Sequence, residues 1–223
     1  PSSDLHGTAT PMMDPTTWGE AAVHYASPRQ QGAGLINVAK ALKNNVLATF
    51  KNTDSKGLVN SYGSISLKEV KHKKRLFSVN LHNTSNRDLT FRVSASPVTT
   101  DGIVNKLKLD ETYQDEKSKD GKKIVPEIHP TAVNNAGIEF EKDTFTIKAN
   151  SSYELKGILN LGDAHGKNQF VESFINFESV EETEDKNNPS AQPSLTMPLM
   201  GFAGDWNKEP ILDKWAWVEV ARW

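Results

Sequence analysis

The sequence predicts a mainly β chain, folded as an antiparallel β-sandwich. At least seven short segments alternate apolar with polar residues, which is the mark of half-buried strands. Clusters of Asn, Ser, Thr and Asp, whose side chains bond to their own backbone in turns, separate these segments. A helical period occurs near the front, ahead of the strands. Such strands bury their apolar faces by stacking as two sheets.

Residues 1–26 are rich in Pro, Thr, Gly and Ser without a sustained period, so they are expected to be irregular, with at most a helical turn near Trp18 to Tyr25. A helix from about Gly34 to Lys43 follows. Leu35, Val38, Ala39 and Leu42 recur at i, i+3, i+4 and i+7, which is one helical face, and Asn44-Asn45 ends it. A helix this short is marginal in water. Its apolar face needs a partner that residues 1–33 do not fully supply, so a body outside the chain is expected.

From Val46 the period changes. Ile65 and Leu67 alternate in Ser64–Val70, Phe77, Val79 and Leu81 in Leu76–His82, and Leu89, Phe91, Val93 and Ala95 in Leu89–Ala95. His82 to Asp88 supplies the turn between the last two. Ile138 and Phe140, then Phe145 and Ile147, continue the series. Tyr153, Leu155, Leu159 and Leu161 form a longer strand expected to bend at Gly157. Phe170–Phe177 carries large apolar groups on both faces, which predicts a strand covered on both sides or bulged midway. Leu195–Phe202 closes the set, and Pro198, lacking an N–H, predicts an edge position for it.

Two polar insertions interrupt the pattern, Leu109–Lys123 and Glu178–Pro193. The first mixes charges; the second is acidic through Glu178, Glu181, Glu182, Glu184 and Asp185. Both read as solvated loops, with a rim selecting cationic substrate segments as the functional alternative. Lys68, Lys71, Lys73, Lys74 and Arg75 make a basic run across a turn, a solvated loop or a contact for an anionic wall polymer or acidic segment. After Trp206 the chain turns aromatic with Trp215, Trp217 and Trp223, as the start of a third domain or a strap on the sandwich.

Composition narrows the function classes. The 223 residues carry a formal charge of −2, which offers no bulk attraction to nucleic acid or to an anionic membrane. The hydrophobic content of 36% is low for one compact core, so one domain with pieces of its neighbours is expected. With no cysteine, disulfides, thiolate catalysis and cysteine-type zinc sites are excluded. No apolar run reaches the roughly 20 residues of a membrane span, and no signal peptide opens the chain. The start at Pro1 fits an excised or processed fragment.

The segment Ser27-Pro28-Arg29-Gln30-Gln31-Gly32-Ala33-Gly34-Leu35-Ile36, extended through Leu42, resembles the end of the catalytic domain in subtilisin-like serine proteases of the cell-envelope type. Lactocepins and the streptococcal complement-fragment and chemokine peptidases form that group. Thr8-Ala9-Thr10-Pro11 ahead of it and Met197 to Trp206 downstream fall in the family's order. The resemblance implies a helical remnant of a subtilisin-like α/β domain at 1–45, a fibronectin type III-like sandwich at 46–202, and at 203–223 the start of a following domain or a packing strap. It further implies secretion from a Gram-positive bacterium, with the rest of the parent protease and its protein or peptide substrates as partners.

No catalytic, cofactor-binding or metal-binding residue is assigned. His6-Gly7-Thr8 lacks the helix onset and the chain order of a general-base motif, and Gly7-Thr8-Ala9-Thr10-Pro11 has no serine where a nucleophile must sit. The triad and the oxyanion-hole asparagine of the resembled family would all precede Pro1. His6, His24, His72, His82, His129 and His165 lack ligand spacing. Calcium at Asp163-Ala164-His165 or Asp110–Asp120 is a weak alternative, since an ordered EF-hand spacing is missing. The triplets at Asn83 and Asn150 match a glycosylation signal that would be idle in a bacterial protein. The sequence therefore predicts a non-catalytic piece of a serine endopeptidase, with an adhesion or carbohydrate-binding sandwich centred on Trp206, Trp215 and Trp217, or a passive spacer, as alternatives.

Overall fold

The computed structural model describes residues 27–53, 56–108, 124–185 and 187–208. Two short helices, α1 (Pro28–Gln31) and α2 (Val38–Lys43), lead into strands β1 (Val46–Thr53), β2 (Val59–Tyr62), β3 (Ile65–Glu69), β4 (Lys74–Asn83), β5 (Leu89–Ala95) and β6 (Thr99–Lys108). They are followed by β7 (Ile124–Ala132), β8 (Gly137–Phe140), β9 (Thr144–Ile147), β10 (Ser152–Asn160), β11 (Gln169–Ser179), helix α3 (Val180–Glu184) and β12 (Leu195–Ala203). One sheet has the order β2-β1-β4-β10-β8 and the other β3-β12-β11-β5-β9; β6 joins the second through β11 and pairs with β7. Every pairing is antiparallel except β3 with β12, which is parallel.

Alternation places the core where the sequence predicts it. Phe77, Val79 and Leu81 of β4 and Leu155 and Leu159 of β10 face Leu89, Phe91 and Val93 of β5 and the buried residues of β11 and β12. Phe145 lies at the centre, stacked on Tyr153 at 4.7 Å and meeting Phe177 edge-on at 6.4 Å. Each such ring, taken wholly out of water, contributes about 2–3 kcal/mol.

Four expectations are corrected. Gly157 does not bend β10, whose ladder with β4 runs unbroken from Ser152 to Asn160. Its lack of a side chain makes room for the Phe77 ring instead, since a Cβ there would lie 2.6 Å from Phe77 Cζ. Pro198 is not on an edge strand, because β12 is flanked by β11 and β3. It pairs with Phe174, whose N–H and C=O both bond to Ser96 on the other side. The pair is thus the non-hydrogen-bonded kind, and the imide nitrogen points away from β11, one residue before β3 begins pairing at Leu199.

Nor does the helix begin at Gly34. Gly32 and Gly34 take φ of +64° and +107°, left-handed conformations that end α1 and turn the chain. The second helix starts at Val38, where the Asn37 side chain caps it by accepting from Lys40 N at 3.0 Å. The acidic insertion is not simply a solvated loop, because part of it winds into α3. Insertion 109–123 lies outside the described residues, as do 1–26 and 209–223. No helix among the described residues is long and apolar enough to cross a membrane.

Candidate docking site

The strand β11 departs from alternation, and the departure locates the site. Val171 to Ile175 are all buried, so both faces are covered, and no bulge breaks its ladders with β12 or β5. The outer cover includes α1 and its flank, with Ser27 and Ala33 buried beside it. Amid this apolar run sits Glu172, 1% exposed. A carboxylate taken out of water is costly unless a charge and hydrogen bonds meet it. Arg29 provides both: its Nε donates to Glu172 Oε1 at 2.7 Å, its Nη2 to Oε2 at 3.4 Å, and its backbone N–H to Oε1 at 3.3 Å. The same guanidinium lies 4.2 Å from the centre of the Phe170 ring, a cation–π contact.

A second set of bonds fixes α2. Lys40 Nζ lies 2.7 Å from Glu182 Oε1, and Glu182 Oε2 accepts from Ser194 N at 2.7 Å. Burial raises the Glu182 carboxyl, but the hydrogen bonds from Lys40 and Ser194 outweigh it and hold the group below the ordinary carboxylate range. The buried Gln192 accepts from Asn45 N at 2.9 Å and donates to Asn44 Oδ1 at 2.6 Å. Glu181 pairs with Arg87 and accepts from Gln192 N, while Glu184 lies 3.7 Å from Arg92. The acidic segment therefore spends Glu181, Glu182 and Glu184 on cations of its own chain. That leaves little of the rim for cationic substrates that the sequence admits.

Held in this way, the front segment turns its apolar residues outward. Leu35 is 61% exposed, Ile36 53%, Val38 62% and Leu42 84%. Of the expected stripe only Val38, Ala39 and Leu42 lie in a helix, α2, with Leu35 ahead of it, and the sandwich covers none of them.

The other sequence candidates are dispersed. His82 bonds Ser152 Oγ, His165 lies near Lys71 O, and Asp163 accepts from Asn135. His129 falls in β7, while His6, His24, Thr8 to Pro11 and the Asp110–Asp120 carboxylates lie outside the described residues. Among the described residues, no three His, Asp or Glu side chains converge as a metal site. Asn83 is wholly buried, donating to Arg87 O at 2.7 Å and to the carbonyls of Ile147 and Lys148, so its glycosylation triplet is out of reach. Trp206 packs edge-to-face on Phe202 and Phe170; Trp215 and Trp217 lie outside the described residues. The Arg29–Glu172 pair is not singled out by the sequence reading, although one carboxylate within Phe170–Phe177 is the signal that marks it.

Comparison with known proteins places this geometry. The model of the Fn3-like domain family matches residues 65–200. The chain belongs to the Fn3-like domain family. A PI-type proteinase of Lactococcus lactis subsp. cremoris is 27% identical over 187 residues, which is 84% of this chain and 8% of that protein. The C5a peptidase of Streptococcus pyogenes serotype M3 is 28% identical over 218 residues, 94% of this chain and 15% of that protein. This Fn3-like chain thus spans only a small part of the curated relatives it matches. Among solved structures, the ASH / PapD-like domain of human CEP192 covers 76% of this chain and 89% of its own, with a TM-score of 0.42 and 12% identity.

Proposed function

We propose that this chain is a non-catalytic part of a secreted, cell-envelope, subtilisin-like serine endopeptidase of a Gram-positive bacterium, in which the Fn3-like sandwich supports the catalytic domain and helps bind protein substrates. The observation that carries it is the exposed stripe of Leu35, Ile36, Val38 and Leu42 on a segment clamped at both ends to the sandwich. Covering four such side chains contributes roughly 6 kcal/mol before the cost of ordering. A flexible tether needs no such clamps. Similarity to proteinases and a peptidase many times longer than this chain supports a preceding catalytic domain as the body that covers the stripe.

The test is deletion of residues 46–202 from the parent protein. The expected result is a lower melting temperature of the catalytic domain and a larger loss of cleavage on proteins than on short peptides, because binding energy gathered far from the scissile bond serves only long substrates. Unchanged stability and unchanged cleavage of both substrate types defeat the reading.

A further inference from the structure

A cleft of about 930 Å³ opens at the edge of the sandwich between β1 and β3, away from the Lys40–Glu182 clamp and sharing Phe170 with the surroundings of Arg29. Its lining combines aromatic and thioether surface with cations: Phe50, Met200 and Trp206 on one hand, Lys51, Lys68 and Arg75 on the other. Trp206 is 52% exposed. Among the described residues of this lining the one carboxylate, Glu69, is already engaged, accepting from Trp206 N at 2.7 Å and lying 3.4 Å from Lys71. Arg75 and Lys51 have no carboxylate partner among the described residues, so the described lining carries a net positive charge.

Its backbone is set for this cleft. Lys68 has a φ of +53°, a left-handed conformation uncommon for a lysine, at the irregularity where β3 shifts register against β12. Such a kink re-aims a side chain, and here Lys68 Nζ reaches across to Thr53 O on β1 at 3.0 Å. The ammonium keeps two further donors for a ligand at the cleft's lip.

We propose that this cleft binds an acidic polypeptide segment, with an apolar or aromatic side chain entering the aromatic lining and flanking carboxylates meeting Lys68 and Arg75. Charge complementarity selects the acidic partner. The lining selects polypeptide over an anionic polysaccharide or phosphate polymer. Phe170, Phe202 and Trp206 are packed edge-to-face on one another, with centroids 4.6 to 5.4 Å apart, rather than laid out as open faces for sugar rings. A phosphate polymer has no apolar group to bury there. The cleft is independent of the docking stripe, so its failure leaves the proposed function standing, and the reverse also holds.

The experiment is calorimetric titration of this chain with an acetylated heptapeptide of Glu and Asp around one central Phe. A peptide with Lys in place of the acids and a short-chain polyphosphate serve as comparisons. The expected result is saturable binding of the acidic peptide, at least tenfold tighter than either comparison, and weakened about tenfold as ionic strength rises from about 0.05 to about 0.5 M. Arg75→Glu, an exposed position, should abolish it, Lys68→Gln should weaken it about fivefold, and Trp206→Phe should weaken it less than Arg75→Glu. Circular dichroism of each variant checks that it is folded. No binding at about 1 mM peptide overturns the proposal, as does binding that Arg75→Glu leaves intact; polyphosphate binding as tightly as the peptide overturns it in favour of a general polyanion surface.

Discussion

At the scale of single residues, Glu172 is the group whose removal has the clearest consequence. Its carboxylate is buried while Arg29 is about one-third exposed, so solvent lowers the value of the pair below that of a wholly buried one. Glu172→Ala is expected to destabilise by about 1–3 kcal/mol, read from the urea midpoint, because the strand is left with a void and Arg29 loses the buried carboxylate that three of its contacts meet. Replacing both partners with methionine should recover most of that loss, since the void is refilled with apolar volume and no charge has to be held against the strand. A double variant as unstable as the single one would show that the pair itself, not the void left by Glu172, carries the stability. Gly157→Ala makes the opposite error by adding volume: with Phe77 Cζ 2.6 Å from the new Cβ, the ring must move within a packed core, at about 1–3 kcal/mol. The sequence marks Glu172 only as the one acid in an apolar run, without its partner, and Gly157 reads there as a bend. What a missing methyl admits depends on the strand across the ladder.

Among the elements, strands with strict alternation were open to sequence reading, and those whose partners lie on both sides were not. Leu89–Ala95 is recovered to the residue as β5, and Ser64–Val70 and Leu76–His82 nearly so, because each has one wet face. Strands β6 and β7 escape it, since Gly102, Pro126 and Pro130 punctuate them as loops. Helix α3 escapes it because five residues of mostly acidic sequence carry no apolar stripe. Its purpose is electrostatic, and that sets a pH dependence. Glu182 in the folded chain titrates below its ordinary value of about 4.3, so its contribution is present in full above that pH and is lost as pH falls through the folded value. Asp88 acts with the same sign, lowered by hydrogen bonds from Lys148 and from Ala149 N. Amide-exchange protection of α2 should therefore drop as pH falls below about 4.3 in the native chain. In Glu182→Gln, protection should be low already at neutral pH and change little on acidification. Equal acid sensitivity in both proteins would assign the effect elsewhere.

For the whole molecule, the question is what a sandwich gains by gripping a helix whose greasy side it does not cover. The grip is polar and directional: Arg29 to Glu172, Lys40 to Glu182, Asn45 to Gln192. Bonds of this kind fix orientation more than they add stability, so they suit an element that must present a surface at a set angle. The helical spacing in the sequence marks Leu35, Val38 and Leu42, although Leu35 proves to lie ahead of α2 and Ile36 is outside that pattern, and it does not reveal the mounting, because both clamps join residues more than 140 positions apart. If the stripe is a docking face, Leu35→Ser with Leu42→Ser should leave the melting temperature of this chain within about 2 °C, since both side chains already meet water. In the parent protein the same pair should lower the melting temperature of the catalytic domain by several degrees, an effect of about 2–4 kcal/mol for two buried leucines lost from an interface. Calorimetry on the two proteins separates the cases. A parent as indifferent to the double change as the isolated chain would mean that the stripe faces water there too, and the support role would then have to rest on some other surface of the sandwich.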